Sequence, residues 1–151
     1  MSGGSAVPSQ WEQRLYACLG GLPALGPIMT ECRVLPGWHG LVDVFLPAFG
    51  LGIMVDGEHH FPSHHGSHHG HSSSGQQVTD SLFNLSVLAS SGRHVRGVIR
   101  LHHHDCSWWA MHIMRACAVA QSPCVRVFML FTLSYSASGW HDVICPHPPS
   151  L

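Results

Sequence analysis

The stretch Leu41–Phe61, LVDVFLPAFGLGIMVDGEHHF, decides how this chain is read. It divides into two short apolar runs, Leu41–Leu46 and Leu51–Asp56, with Pro47 and Gly50 between them. Apolar runs of this length, bounded by turn residues, predict a pair of strands joined by a tight turn. Asp43 and Asp56 sit inside the hairpin, and Glu58 follows one residue after Gly57. The whole chain carries only eight Asp and Glu residues, so three of them on one hairpin need a reason. Carboxylates gathered at strand ends hold divalent cations through their oxygens. The structural alternative is that Asp43 caps a turn and Asp56-Gly57 is a plain turn dipeptide.

Upstream of the hairpin, residues 1–8 form a Gly/Ser-containing flexible opening. Ser9 and Glu12 then make an S-x-x-E capping box, and Trp11, Leu15, Cys18 and Leu19 recur at helical spacing. A helix over Gln10–Leu19 follows, stopped by Gly20-Gly21. Ile28–Leu35 reads as a first strand that turns into the hairpin at Pro36-Gly37. Downstream the composition changes abruptly. Residues 62–76, PSHHGSHHGHSSSGQ, contain no aliphatic side chain and read as a mobile, low-complexity loop. Its paired histidines give it adventitious Zn²⁺ or Ni²⁺ affinity, because a Gly/Ser loop lacks the rigid spacing of a built site.

Order resumes with a helix over Gln77–Ser90, carrying Leu82, Leu85, Val87 and Leu88. Val95–Leu101 alternates Arg96 and Arg100 against apolar residues, a strand with one basic face. A helix starting at Asp105 carries Trp108, Trp109, Met111, Ile113, Met114 and Cys117, and Val125–Leu133 is a buried strand. The segment 134–151, with Gly139, Pro146, Pro148 and Pro149, reads as an irregular tail. The domain is thus expected over 9–133. The order helix, three strands, helix, strand, helix, strand implies an α/β fold with a mixed sheet flanked by helices.

Composition narrows the function classes. A chain of 151 residues with 45% apolar content builds one core of useful size. Only 10% of residues are charged, there is no lysine, and the net charge is −1, so no general basic field announces nucleic acid. Fifteen histidines alter that balance in mildly acidic conditions. The six cysteines make no CxxC pair and no disulfide framework, and an intracellular, reducing setting follows, with nucleus or organelle left open. No apolar run is long enough to span a membrane.

The hairpin and its surroundings resemble the restriction-endonuclease-like PD-(D/E)XK superfamily, nearest to the very-short-patch-repair-like endonucleases and the RAP domain. The resemblance rests on Glu12 in the first helix, Asp43 in VDVFLP, IMVDGEHHF, Asp80 and Asn84 in a helix, and VRGVIRL. It covers Ser9–Ala120, and Asp56, Gly57, His60 and Phe61 are its most specific part. It implies an αβββαβ core and Mg²⁺- or Mn²⁺-dependent hydrolysis of phosphodiester bonds in DNA or RNA. In that family the metal generates the nucleophile and stabilises charge developing on phosphorus. Carried over by position, Asp43 is the first metal ligand, His60 the motif histidine, and Glu12 a helix acid that joins the site. Arg93, Arg96 and Arg100 face phosphate.

Two departures stand out. The family's glutamate falls at Met54, and no lysine is present to orient the water. A shifted register makes Asp43, Asp56 and Glu58 the metal set, because residues 56 and 58 share one face of a strand. The competing expectations are a RAP-like module that binds RNA or DNA without cutting, and a histidine-rich metal-binding protein. For His102, His103 and His104 the expected role is a polar strand-to-helix connection, and for Trp108 and Trp109 it is packing.

Overall fold

The computed structural model describes residues 9–35, 41–57, 70–90 and 94–149, with the backbone alone over 70–78. Helix α1 (Gln10–Gly20) begins as its capping box predicts, with the Ser9 hydroxyl accepting the Glu12 amide at 3.2 Å. Strands β1 (Met29–Arg33), β2 (Leu41–Leu46) and β3 (Leu51–Asp56) follow as an antiparallel meander. Gly50 closes the β2–β3 turn with a φ of 63°, where a side chain would also strike Arg96. The chain then continues through α2 (Gly70–Leu88), β4 (Gly97–His102), α3 (Trp109–Gln121), β5 (Val125–Phe131) and β6 (Val143–Pro146).

The six strands form one mixed sheet in sequence order, β1 to β6, in which β3, β4 and β5 run parallel and the remaining pairs run antiparallel. Alternate residues feed two cores. Val44, Leu46, Leu51, Ile53, Ile99, Leu101, Phe128 and Leu130 pack under α1 and α3. Val42, Val98, Val127, Met129 and Phe131 pack under Phe83 and Val87 of α2 and under Tyr135. Each fully buried Leu, Ile or Val contributes about 1.5–3 kcal/mol relative to exposure. The central strand β4 is buried along its whole length, as a strand covered on both faces must be. The steps β3–α2–β4 and β4–α3–β5 cross the sheet in one direction but place their helices on opposite faces. They therefore have opposite hand, and one of them runs against the usual right-handed sense.

Two differences from the expected order have simple causes. Helix α2 begins at Gly70, seven residues before the helix expected from Gln77, so the low-complexity composition of 70–76 does not prevent helical backbone there. The expected irregular tail instead enters the fold. Residues Leu133–Ser138 form a 3₁₀ turn that buries Tyr135, and Val143–Pro146 pairs with β5. Short β-branched runs between glycine and prolines carry little periodicity, and here the partner strand supplies the order.

Candidate functional site at the carboxyl ends of β3 and β4

Strands β3 and β4 end side by side, with Asp56 opposite His102. In open sheets, ligand sites form beyond the carboxyl ends of parallel strands. The first residues of β2 and the first turn of α1 reach the same end, because β2 is antiparallel to β3 and Trp11 of α1 lies 5.2 Å from the His103 ring.

On the α2 face, Arg100 is fully buried. Its Nε donates to Asp56 Oδ2 at 2.8 Å and its Nη2 to Asp56 Oδ1 at 2.7 Å, a two-pronged ion pair. From α2, one turn apart, Asp80 Oδ1 accepts from Nη2 at 3.0 Å and Asn84 Oδ1 accepts from Nη1 at 3.1 Å. The Tyr135 hydroxyl donates a short hydrogen bond to Asp56 Oδ2. Burial holds that hydroxyl well above the ordinary tyrosine range, with Asp56 adding to the shift, so it stays a donor. Trp140 lies over the guanidinium at 5.3 Å. This is a closed, oriented polar network that ties β3, β4, α2 and the 3₁₀ turn together.

Asp43 is placed differently. Val42 packs in the α2-side core and Val44 in the α1/α3-side core, so the strand alternation slips by one residue at Asp43. On the neighbouring strand the slip is matched by Glu31, which holds a left-handed φ of 47°. Asp43 Oδ2 takes the Val55 amide at 2.7 Å, in place of a backbone acceptor. Burial pushes this carboxyl up to about 6. The Val55 hydrogen bond pulls against that shift, and the charges of Glu12 and Asp56 add to it. Glu12, Asp43 and Glu31 also act together on the Tyr16 hydroxyl, which burial and then these charges raise. A carboxylate perturbed by burial and like charges at a strand end is a candidate for a functional site.

The third component is the run His102-His103-His104, where β4 passes into a 3₁₀ turn over His103–Trp108. Burial lowers His102 to about 4, with the adjacent His103 and His104 adding to it, so its ring is neutral at physiological pH. Its backbone is pinned: its amide donates to Thr132 Oγ1 and its carbonyl accepts from Trp109 Nε1, both at 2.9 Å. One ring nitrogen from each of the three histidines lies within 4.8 Å of the others, a metal-ligand grouping among the described residues.

Set against the expected site, Asp43 and Glu12 do share this end of the sheet. Asp56 ends the neighbouring strand and its charge reaches Asp43, but both of its oxygens are engaged by Arg100 and Tyr135. The expectation that Arg100 faces phosphate is corrected, because its guanidinium lies inside the protein. Arg96 is corrected too: it is half-buried, and its Nη2 donates to the carbonyls of Ser122 and Val125 at 3.1 and 2.7 Å, capping the end of α3. Glu58, His60 and Arg93 lie outside the described residues, as do the loop histidines between 59 and 69. Trp109 is fully buried packing as expected, whereas Trp108 is exposed. The sequence did carry a signal for the Arg100 network, an arginine in an otherwise apolar run and Asp80 and Asn84 at i, i+4 spacing. It carried none for Tyr135.

Among the described residues no helix is long and apolar enough to cross a membrane. No family model, curated protein or solved structure matches this chain.

Proposed function

We propose that the chain is a restriction-endonuclease-like domain that hydrolyses phosphodiester bonds in DNA or RNA with Mg²⁺ or Mn²⁺, and that Asp43 is its principal metal ligand with Glu12 beside it. One observation carries the reading: a half-buried carboxylate, anchored by a backbone amide and raised to about 6, feels the charge of a second carboxylate, Glu12, at this end of the sheet. The element order supports it as well, since α1, the β1–β3 meander, α2 and the parallel β4 follow the αβββαβ sequence of that fold. The donor set fits Mg²⁺, which keeps most of its waters and needs only one or two carboxylates. Bound there, the cation supplies Lewis-acid stabilisation of charge on phosphorus.

The chain's own groups have separate tasks. Asp43 is held in one orientation by the Val55 amide, so its second oxygen has a defined direction. Asp56 positions the end of β3 through Arg100, and its backbone carbonyl accepts from His103 Nδ1 at 3.3 Å. Trp11 covers the strand end so closely that a side chain at Gly57 would lie 2.9 Å from its ring.

A second reading, binding of nucleic acid without cleavage, is favoured by Met54. It occupies the expected acid position and packs into the α2-side core instead of addressing Asp43. Incubation of the full chain with single- and double-stranded DNA and RNA in Mg²⁺ or Mn²⁺, beside Asp43→Ala, separates the two. Metal-dependent cutting that Asp43→Ala abolishes supports hydrolysis. Binding without cutting supports the second reading, and neither binding nor cutting overturns both.

A further inference from the structure

Three imidazoles converge where β4 ends, and the reading above gives them no role. Their ring centroids are 4.7 Å apart for His102 and His103, 4.2 Å for His103 and His104, and 4.8 Å for His102 and His104. The crowding arises where the extended backbone of His102 (φ −75°, ψ 137°) breaks into the 3₁₀ turn at His103, which ends the strand alternation that would point neighbouring rings to opposite faces. His102 and His103 are buried and His104 is exposed, so two rings are fixed and the third can swing.

We propose that His102, His103 and His104 bind a transition-metal dication of the zinc class, with one coordination position open to water. Zinc takes imidazole nitrogen at about 2.0–2.1 Å, which in a tetrahedron sets nitrogens about 3.4 Å apart. One ring nitrogen from each histidine already lies within 4.8 Å of the other two, so side-chain adjustments of about an ångström, easiest at the exposed His104, bring the set to that spacing. His103 is prepared for the role: the Asp56 carbonyl can only accept, so Nδ1 carries the proton and Nε2 presents its lone pair. A backbone carbonyl on the far nitrogen is the usual outer partner of a ligating histidine. His102 binds by exchange. Its Nδ1 lone pair accepts the His104 amide at 3.1 Å, and the metal takes that lone pair while the amide is released. Imidazole selects zinc, cobalt, nickel or copper over Mg²⁺, so this site differs in metal class from the carboxylate site at Asp43 and does not depend on it.

Seven further histidines lie between residues 59 and 71, and they must be silenced for a clean test. The probe is Co²⁺ titrated into the full chain with those seven changed to Gln, followed by visible d–d absorption and by zinc-dependent thermal melting. One equivalent of four- or five-coordinate cobalt is expected, with a rise in Tm on zinc. His104→Gln and His103→Gln in the same background each remove a ligand and weaken binding by at least the roughly 10–100-fold that loss of an outer partner costs. The proposal is overturned if the seven-Gln protein binds no cobalt, since the metal affinity then belongs to the loop. It is also overturned if His104→Gln and His103→Gln both bind as tightly as their parent. Phosphodiester cleavage is not part of the readout, so the two proposals fail separately.

Discussion

Asp43 and Asp56 lie on neighbouring, paired strands, yet the fold treats them in opposite ways. Asp56 is buried among an arginine, a tyrosine and a second carboxylate within its network, and both of its oxygens are answered. Asp43 is half-buried with one backbone amide and a neighbouring acid, and its carboxyl is held near 6. A buried carboxylate with a matched cation is architecture. One whose charge the protein disfavours is poised for a proton or a cation that the fold does not itself supply.

Removing the cation from the first region gives the largest effect. Arg100→Met leaves Asp56 and Asp80 buried without their partner, and loss of one member of a buried pair costs about 3–5 kcal/mol. In a domain whose total stability is about 5–15 kcal/mol, this variant unfolds at a much lower urea concentration or fails to accumulate folded. An Arg100→Met protein with an unchanged urea midpoint would show that the network contributes nothing to the fold.

The second region responds with the opposite sign. Asp43→Asn keeps an oxygen for the Val55 amide and removes a charge that the folded state disfavours. At pH 7 the variant is expected to be more stable than the parent by about 1–2 kcal/mol, a discounted conversion of the shift from 3.8 to about 6. On the proposed hydrolysis, the same substitution is expected to remove Mg²⁺- or Mn²⁺-dependent cleavage. Greater stability with less activity is the signature of a strained functional group. Thermal melting and cleavage assays on one preparation read both effects, and a destabilised Asp43→Asn would place Asp43 with Asp56 as architecture.

These outcomes bear on what the sequence could and could not disclose. The hairpin was legible because Pro47 and Gly50 bound two apolar runs, and β2 and β3 fall over the expected residues. The first helix was legible from its cap. The role of Asp56 was not, because an acid beside Gly57 looks the same whether its partner is a metal or an arginine. That partner lies 44 residues away, and its identity depends on the β3/β4 register, which side-chain alternation does not encode. Arg100 was misread for a related reason. Alternation showed a basic strand face, but only the placement of α2 over it converts that face to interior. The histidine run was passed over because three adjacent residues on an extended strand point apart, and the 3₁₀ turn that gathers them had no sequence signal.

The contrast sharpens when pH is varied. The folded state holds the Asp43 proton more tightly than the unfolded chain, so Asp43 adds stability as pH falls from 7 through about 6 toward 4. His102 works the other way. Its folded-state pKa is depressed to about 4, so its contribution is present above the unfolded value of 6.5 and is lost as pH falls toward 4. In the parent protein the two slopes offset over this window. Asp43→Asn removes the offsetting slope, and its Tm falls more steeply between pH 6.5 and about 4.5 than that of the parent. Parallel Tm curves for the two proteins would mean that Asp43 is not the group being protonated.

The smallest effect belongs to an ion pair of the same chemical type in a different setting. Arg115 Nη1 and Asp142 Oδ2 lie 2.8 Å apart, as close as the contacts between Arg100 and Asp56, but the two side chains are 37% and 40% exposed. Asp142 also accepts the Phe131 amide through Oδ1 at 2.8 Å, and an asparagine preserves that acceptor. Asp142→Asn therefore deletes the charge alone. Water screens both partners, and exposed pairs contribute about 0–1 kcal/mol, so the variant stays within about 0.5 kcal/mol of the parent and loses even that difference in high salt. Equal distances with unequal consequences would show that burial, and not the Arg–Asp contact itself, sets the strength of the Arg100 network. A loss from Asp142→Asn comparable to that from Arg100→Met would remove the ground for distinguishing the two.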